Sequence, residues 1–145
     1  MALGMCGYRP ALGLLRDLAR RPFEATMVYT ALGDAIVRLS APEAIAGSLL
    51  WCLDSGTPML ADGALRAVAM QRLCLDTATI DHVLDLLEPL DPHDGLRFWA
   101  AAAAAGWQGS RVTRFLHECA AGPRSDVAGA ANSSLQGTYQ TYTPL

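Results

Sequence analysis

The sequence predicts an all-α fold, and three observations carry that reading. Apolar residues recur at helical spacing nearly throughout, no segment sustains the two-residue alternation of a half-buried strand, and proline and glycine break the chain at near-regular intervals. The breaks fall at Pro22, Pro42, Gly56 with Pro58, Pro89 with Pro92, Gly109, and Gly122 with Pro123. Between them the periodicity gives about eight helices, over residues 10–20, 23–39, 42–54, 59–73, 77–88, 93–106, 110–121 and 124–136.

Taken in order, the segments pair into units over 10–39, 42–73, 77–106 and 110–136, followed by a tail at 137–145. In the second helix of each unit Met27, Leu65, Leu96 and Val127 superpose, and one helical turn later stand Ala31, Ala69, Ala100 and Ala131, an alanine in every copy. The first helices align Ile45, Ile80 and Val112, then Leu49, Leu84 and Leu116, then Cys52, Leu87 and Cys119, with Leu15 and Leu18 fitting the first copy. Pro58, Pro92 and Pro123 stand ahead of three second helices, where a missing N–H is tolerated. Stacked helix pairs bury their apolar faces only against one another, so recurring positions of this kind predict one right-handed α-solenoid domain across residues 1–145.

The second-helix segment "LADGALRAVAMQRL", with Asp62 one turn ahead of Arg66, resembles the HEAT repeat, and "PHDGLRFWAAAAAAG" and "RSDVAGAANSSL" are weaker copies. The likeness covers residues 10–136 and implies a HEAT-like α-solenoid; the first copy lacks the Asp and the Arg. In such a stack the second helices are enclosed on several sides, which accounts for the alanine run from Ala100 to Ala105 as room for close neighbours. Trp99 and Trp107 flank the run and are expected to fill core volume; the other reading is an aromatic binding platform. The string "RFWAAAAA" at 97–104 is also similar to a segment of HEAT-like proteins encoded beside bacterial type VI secretion clusters.

Composition bounds the function. The chain has 145 residues, 52% apolar and 17% charged, with eleven basic residues, all arginine, against fourteen carboxylates, for a net charge of −3. That balance suits a folded domain and argues against a nucleic-acid binder; the nearest basic cluster is Arg16, Arg20 and Arg21. The N-terminus lacks a signal-peptide pattern, and the longest uncharged internal run, Phe98 to Ser110, is shorter than the roughly 20 residues that span a bilayer. A soluble, cytoplasmic protein is expected, with Cys6, Cys52, Cys74 and Cys119 as buried reduced thiols.

No residues form a convincing catalytic set, so a non-enzymatic protein-interaction scaffold without a cofactor is expected. Asp62 with Arg66 and Asp94 with Arg97 share helical faces, and read as ties between repeats rather than as acid and stabiliser. His82, His93 and His117 each adjoin a carboxylate, which invites comparison with deoxyhypusine hydroxylase, a HEAT-repeat family with repeated His-Glu ligand pairs. Only His117-Glu118 is such a pair, and the register spreads the three histidines over both helix types. The alternatives are a metal-dependent hydroxylase or lyase on the same repeats, and a nucleic-acid binder like the HEAT-like DNA glycosylases.

From Asp76 to Asp94 six carboxylates occur without an arginine, and Asp81, Asp85 and Glu88 fall on one stripe, either a solvated face or a docking site for a basic partner. Exposed arginines on the second helices, Arg66, Arg72 and Arg97, are the other candidate contacts for a protein partner. The polar last helix suits a cap, whereas the apolar start suits either a homodimer or a piece of a longer solenoid. The tail tyrosines either fold back on the last unit or stay free.

Overall fold

The computed structural model describes residue 4 and residues 6–139. Among them are eight α-helices and no strand: α1 (Leu12–Ala19), α2 (Met27–Leu39), α3 (Ile45–Leu53), α4 (Pro58–Met70), α5 (Thr77–Leu87), α6 (Arg97–Ala103), α7 (Ser110–Ala120) and α8 (Ser125–Leu135). Each expected segment contains one helix, and the differences lie at the ends. The start of α2 slips from 23 to 27 because residues 21–23 wrap the Tyr29 hydroxyl, which accepts from Phe23 N–H (3.1 Å) and donates to the Arg21 carbonyl (2.8 Å). Helix α4 stops at Met70 because Arg72 takes a left-handed backbone, φ 53°. Helix α6 begins only at Arg97, after Asp94 Oδ1 holds the Leu96 N–H in a turn (2.8 Å), and it tightens into a 3₁₀ turn over Ala104–Gly106. At α5 the start is fixed by Asp76, whose carboxylate accepts from Thr79 N–H (2.9 Å) and Thr79 Oγ1 (2.7 Å).

The chain divides into two compact units, the first ending at Ala67 and the second beginning at Val68. In the first, α1 packs on α2 and α2 on α3, around Leu15, Ile36, Leu39, Leu49 and Leu60. Helices α2 and α4 approach until backbones touch. A Cβ on Gly33 would collide with the Leu60 carbonyl oxygen and stand 2.9 Å from Ala64 N, and one on Gly63 would collide with the carbonyl of Thr30. Glycine disfavours a helix interior by about 1 kcal/mol against alanine, so its use at both facing positions marks the contact. Helices α1 and α3 are joined by Arg16, which donates to Ser48 Oγ (2.9 Å) and, with Arg20, covers the Trp51 ring at 5.4 and 5.6 Å from its centroid.

In the second unit α8 packs against α6, its 3₁₀ extension and α7. Ala100 to Ala104 are all buried, as are Ala130 and Ala131, and Ser134 Oγ donates to the Ala101 carbonyl (2.5 Å). The alanine run thus lets α6 and α8 come together. Val83, Leu84 and Leu87 of α5 and Phe115 and Leu116 of α7 fill the rest of this core.

The aligned first-helix residues are buried at Leu49, Leu84, Leu116, Ile80, Val112, Cys52, Leu87 and Cys119. The first copy of the second helix departs: Met27 is 67% exposed, where Leu65 and Val127 are buried. Met27 opens α2 and so lies on its unpacked first turn. Burial is matched better there by a register that pairs Leu32 with Ala64, Ala35 with Ala67 and Ile36 with Val68, all buried.

Gly33→Ala and Gly63→Ala should each cost about 3 kcal/mol or more, since the new methyl meets backbone that has no room to give, and Ala100→Leu about 1–3 kcal/mol by overpacking. Gly47→Ala and Gly129→Ala, helical positions where a Cβ meets nothing within 4 Å, should instead gain about 0.5–1 kcal/mol. Urea titrations of the five variants check the opposite signs.

Candidate functional site

The charged side chains fall into three internal groups and one exposed remainder. In the first unit Asp34, 2% exposed on α2, takes Arg38 Nε on one oxygen (2.6 Å) and Arg66 Nη1 of α4 on the other (2.8 Å). The Gly33–Gly63 approach sets this up by bringing the two helices within reach. Arg66 is therefore committed to an internal bond rather than held out for a partner. A buried carboxylate so bracketed is satisfied as long as both arginines remain; loss of one partner leaves a charge stranded. Asp62, one turn before Arg66, is half-buried, and desolvation pushes its carboxyl up to about 6 against the opposing pull of the Arg66 charge.

The second group belongs to Arg97, which is only 7% exposed. Its Nε donates to the Leu87 carbonyl (3.2 Å) and its Nη2 to those of Glu88 (2.9 Å) and Leu90 (2.7 Å). The guanidinium therefore stands at the C-terminal end of α5, satisfying carbonyls the helix leaves unpaired and placing a positive charge at the negative end of its dipole. The expectation that Arg97 is exposed for a partner does not hold. Asp94 is not its acid partner, being engaged at the Leu96 N–H.

The third group centres on Arg111 of α7. It reaches Asp81 Oδ1 (3.4 Å), Asp85 Oδ1 (2.6 Å) and both oxygens of Glu88 (3.1 and 2.7 Å), with Arg114 joining at Glu88 (3.5 Å). The carboxylate stripe along α5 and its C-cap Glu88 is thus partly offset from α7, although Asp85 stays 68% exposed. These bonds hold the Glu88 carboxyl below its ordinary range, the Arg111 hydrogen bond being the main cause, and raise Arg111. Sequence reasoning passed over Asp34, Arg38 and Arg111. The bonds from Arg66 to Asp34 and from Arg111 to α5 run between helices far apart in the chain, and the glycines inside helical segments were the one available signal.

Arg72 is exposed, and its guanidinium carbon lies 5.1 Å from the Tyr139 ring centroid. Tyr139 has folded back on its own unit, and burial raises its hydroxyl, helped by Cys74 and opposed by Arg72; Tyr142 lies outside the described residues. Among the basic trio, Arg16 and Arg20 lie against Trp51, Arg20 also meets Asp17 at 3.2 Å, and Arg21 is exposed. Cys52 and Cys119 are buried thiols, as expected, pushed up to about 12 and about 11 by desolvation, but the expectation of burial fails at Cys6 and Cys74, which are exposed. His93 and His117 are exposed and His82 half-buried, and among the described residues no three His, Cys, Asp or Glu side chains are grouped to hold a metal ion. Trp107 is buried in the core, and Trp99 is half-buried with its ring edge-on to Phe98 (4.9 Å). No described helix is long and apolar enough to cross a membrane.

Large apolar side chains are exposed at Tyr8 (58%), Leu14 (57%), Met27 and Leu86. Tyr8 precedes α1, Leu14 lies on it, Met27 opens α2 and Leu86 lies on α5.

Arg97→Lys should cost about 3 kcal/mol, because one ammonium on a thinner stem does not reproduce a fork that spans three carbonyls; an equilibrium unfolding curve matching the parent would refute the capping role. For Asp62 the folded-state carboxyl is raised above its ordinary 3.8, so the folded state gains a proton first and stability rises as pH falls through about 6. Glu88 and Asp126 are lowered, so their contributions are present above the ordinary carboxylate range and are lost as pH falls through and below it. Asp62→Asn should be more stable than the parent at pH 7.5 and should abolish the gain between pH 7.5 and 5.5, as read from urea midpoints. No protein-family model, curated protein or solved structure matches the chain.

Proposed function

We propose that the chain is a non-enzymatic protein-binding scaffold, a right-handed HEAT-like α-solenoid of four helix pairs. The observation that carries this reading is a recurring reach among the bonds between successive pairs, alongside the shorter ones from Arg111 to Asp85 and Glu88 at 26 and 23 positions. Arg16 to Ser48 and Arg66 to Asp34 in the first unit, and Arg111 to Asp81, Arg124 to the His93 carbonyl and Ser134 to Ala101 in the second, all span between 30 and 33 positions of the chain. First helices bond to first helices and second to second. One contact period repeated along a chain is what stacking of like units produces.

Such stacks work through extended surface, and here Asp34, Arg66, Arg97 and Arg111 are engaged in holding helices together. The large apolar side chains left facing solvent include Tyr8, Leu14 and Met27. Of these Leu14 lies on α1, and we propose α1 as the face a protein partner covers. The "RFWAAAAA" resemblance supplies the setting we propose, accessory to a bacterial secretion system.

A tagged wild-type chain should retain a stoichiometric protein partner that Leu14→Glu loses, at least tenfold, while the thermal midpoint stays within about 2 °C of the parent. Stoichiometric iron or zinc in the purified protein, lost on replacing His82, His93 or His117, would overturn the scaffold reading in favour of a metal enzyme.

A further inference from the structure

Helices α4 and α8 end in the same pair of backbone bonds. At α8 the Gly137 N–H donates to Ser134 O and the Thr138 N–H to Ser133 O (both 2.9 Å), with Gly137 at φ 70°. At α4 the Arg72 N–H donates to Ala69 O (3.1 Å) and the Leu73 N–H to Val68 O (3.0 Å), with Arg72 at φ 53°. This motif ordinarily takes glycine at the left-handed position. Arginine there is a departure, and its side chain lies over the Tyr139 ring.

The turn at Gly137 sends the chain back so that the Tyr139 hydroxyl occupies the place a Cβ on Gly106 would take. Gly106 closes a run of alanines, and any of them in its place would require the Tyr139 hydroxyl to shift. Cys74 Sγ borders the same spot, 3.5 Å from that Cβ position. An arginine where glycine is ordinary, a glycine where alanine is the rule, and a chain reversal all converge on one half-buried ring.

We propose that Arg72, Cys74 and Gly106 form a binding slot for a tyrosine on an extended segment, and that its occupant is the chain's own C-terminal segment, docked in cis through Tyr139. The slot lies within one unit and does not depend on the scaffold reading.

The probe is a fluorescein-labelled peptide of residues 137–145, titrated against full-length protein by anisotropy. Tyr139→Ala, which vacates the slot, should bind it at least tenfold more tightly than wild type, and a peptide with alanine at both tyrosines should not bind. Adding Arg72→Gly should weaken binding at least threefold without lowering the thermal midpoint, because glycine suits that backbone; adding Gly106→Val should abolish it. Equal affinity, or none, for wild type and Tyr139→Ala would overturn the slot, as would Arg72→Gly leaving affinity unchanged. An unrelated tyrosine peptide binding as tightly as the tail would overturn the tail as its ligand.

Discussion

Helix backbones here touch where side chains shrink to a hydrogen or a methyl group, and the other contacts follow from that. At Gly33 and Gly63 even a methyl is too large, and along Ala100 to Ala104 methyl groups are all that is enclosed. Close approach maximises dispersion contacts between backbones and leaves little volume for water. It also brings side chains one turn away within bonding distance. Asp34 is adjacent to Gly33, and Arg66 lies one turn from Gly63; their 2.8 Å bond exists because the glycines set the helix separation.

The same constraint decides what the charges do. A carboxylate as buried as Asp34 is tolerated only with donors on both oxygens, and a guanidinium as buried as Arg97 only with acceptors along its fork. Those requirements turn these residues into ties that fix one helix against another. In exposed surroundings such pairs contribute little, about 0.2–1 kcal/mol each. The Arg111 group, partly exposed, gains from meeting three carboxylates at once, since one ordered side chain serves several bonds. Its effect is chiefly to fix α7 against α5 and to reduce the repulsion that three neighbouring carboxylates along α5 and its C-cap would otherwise exert.

This division explains what the sequence makes legible. Helix existence and the buried first-helix positions depend on spacings of three and four, so Leu49, Leu84 and Leu116 can be read directly. A bond such as Arg66 to Asp34, which joins helices far apart in the chain, leaves no local trace. The stripe Asp81, Asp85 and Glu88 reads as unopposed because its own segment holds no arginine, while the counter-charge sits on α7. Arg97 reads as exposed because arginine usually is, and only the end of α5 reveals the carbonyls it meets. The first repeat misaligns for a related reason: Ala31 imitates the recurring alanines, but the contact that sets register there runs through Gly33.

Local rules are broken at a handful of positions, and each break coincides with a tertiary contact. Glycine within a helix at 33 and 63, arginine in the core at 97, and arginine with positive φ at 72 are each unfavourable taken alone. For Arg72 the left-handed backbone costs about 1 kcal/mol relative to glycine. At the matching position of α8 the chain uses Gly137, so the motif itself does not require arginine, and the side chain must supply the reason. Its guanidinium meets the Tyr139 ring, and a cation over an aromatic face contributes about 0.5–1 kcal/mol at a partly exposed site. The two magnitudes nearly cancel. The contact with the ring thus offsets the backbone cost of placing arginine rather than glycine at 72, which is why a residue unfavourable by itself is accommodated there.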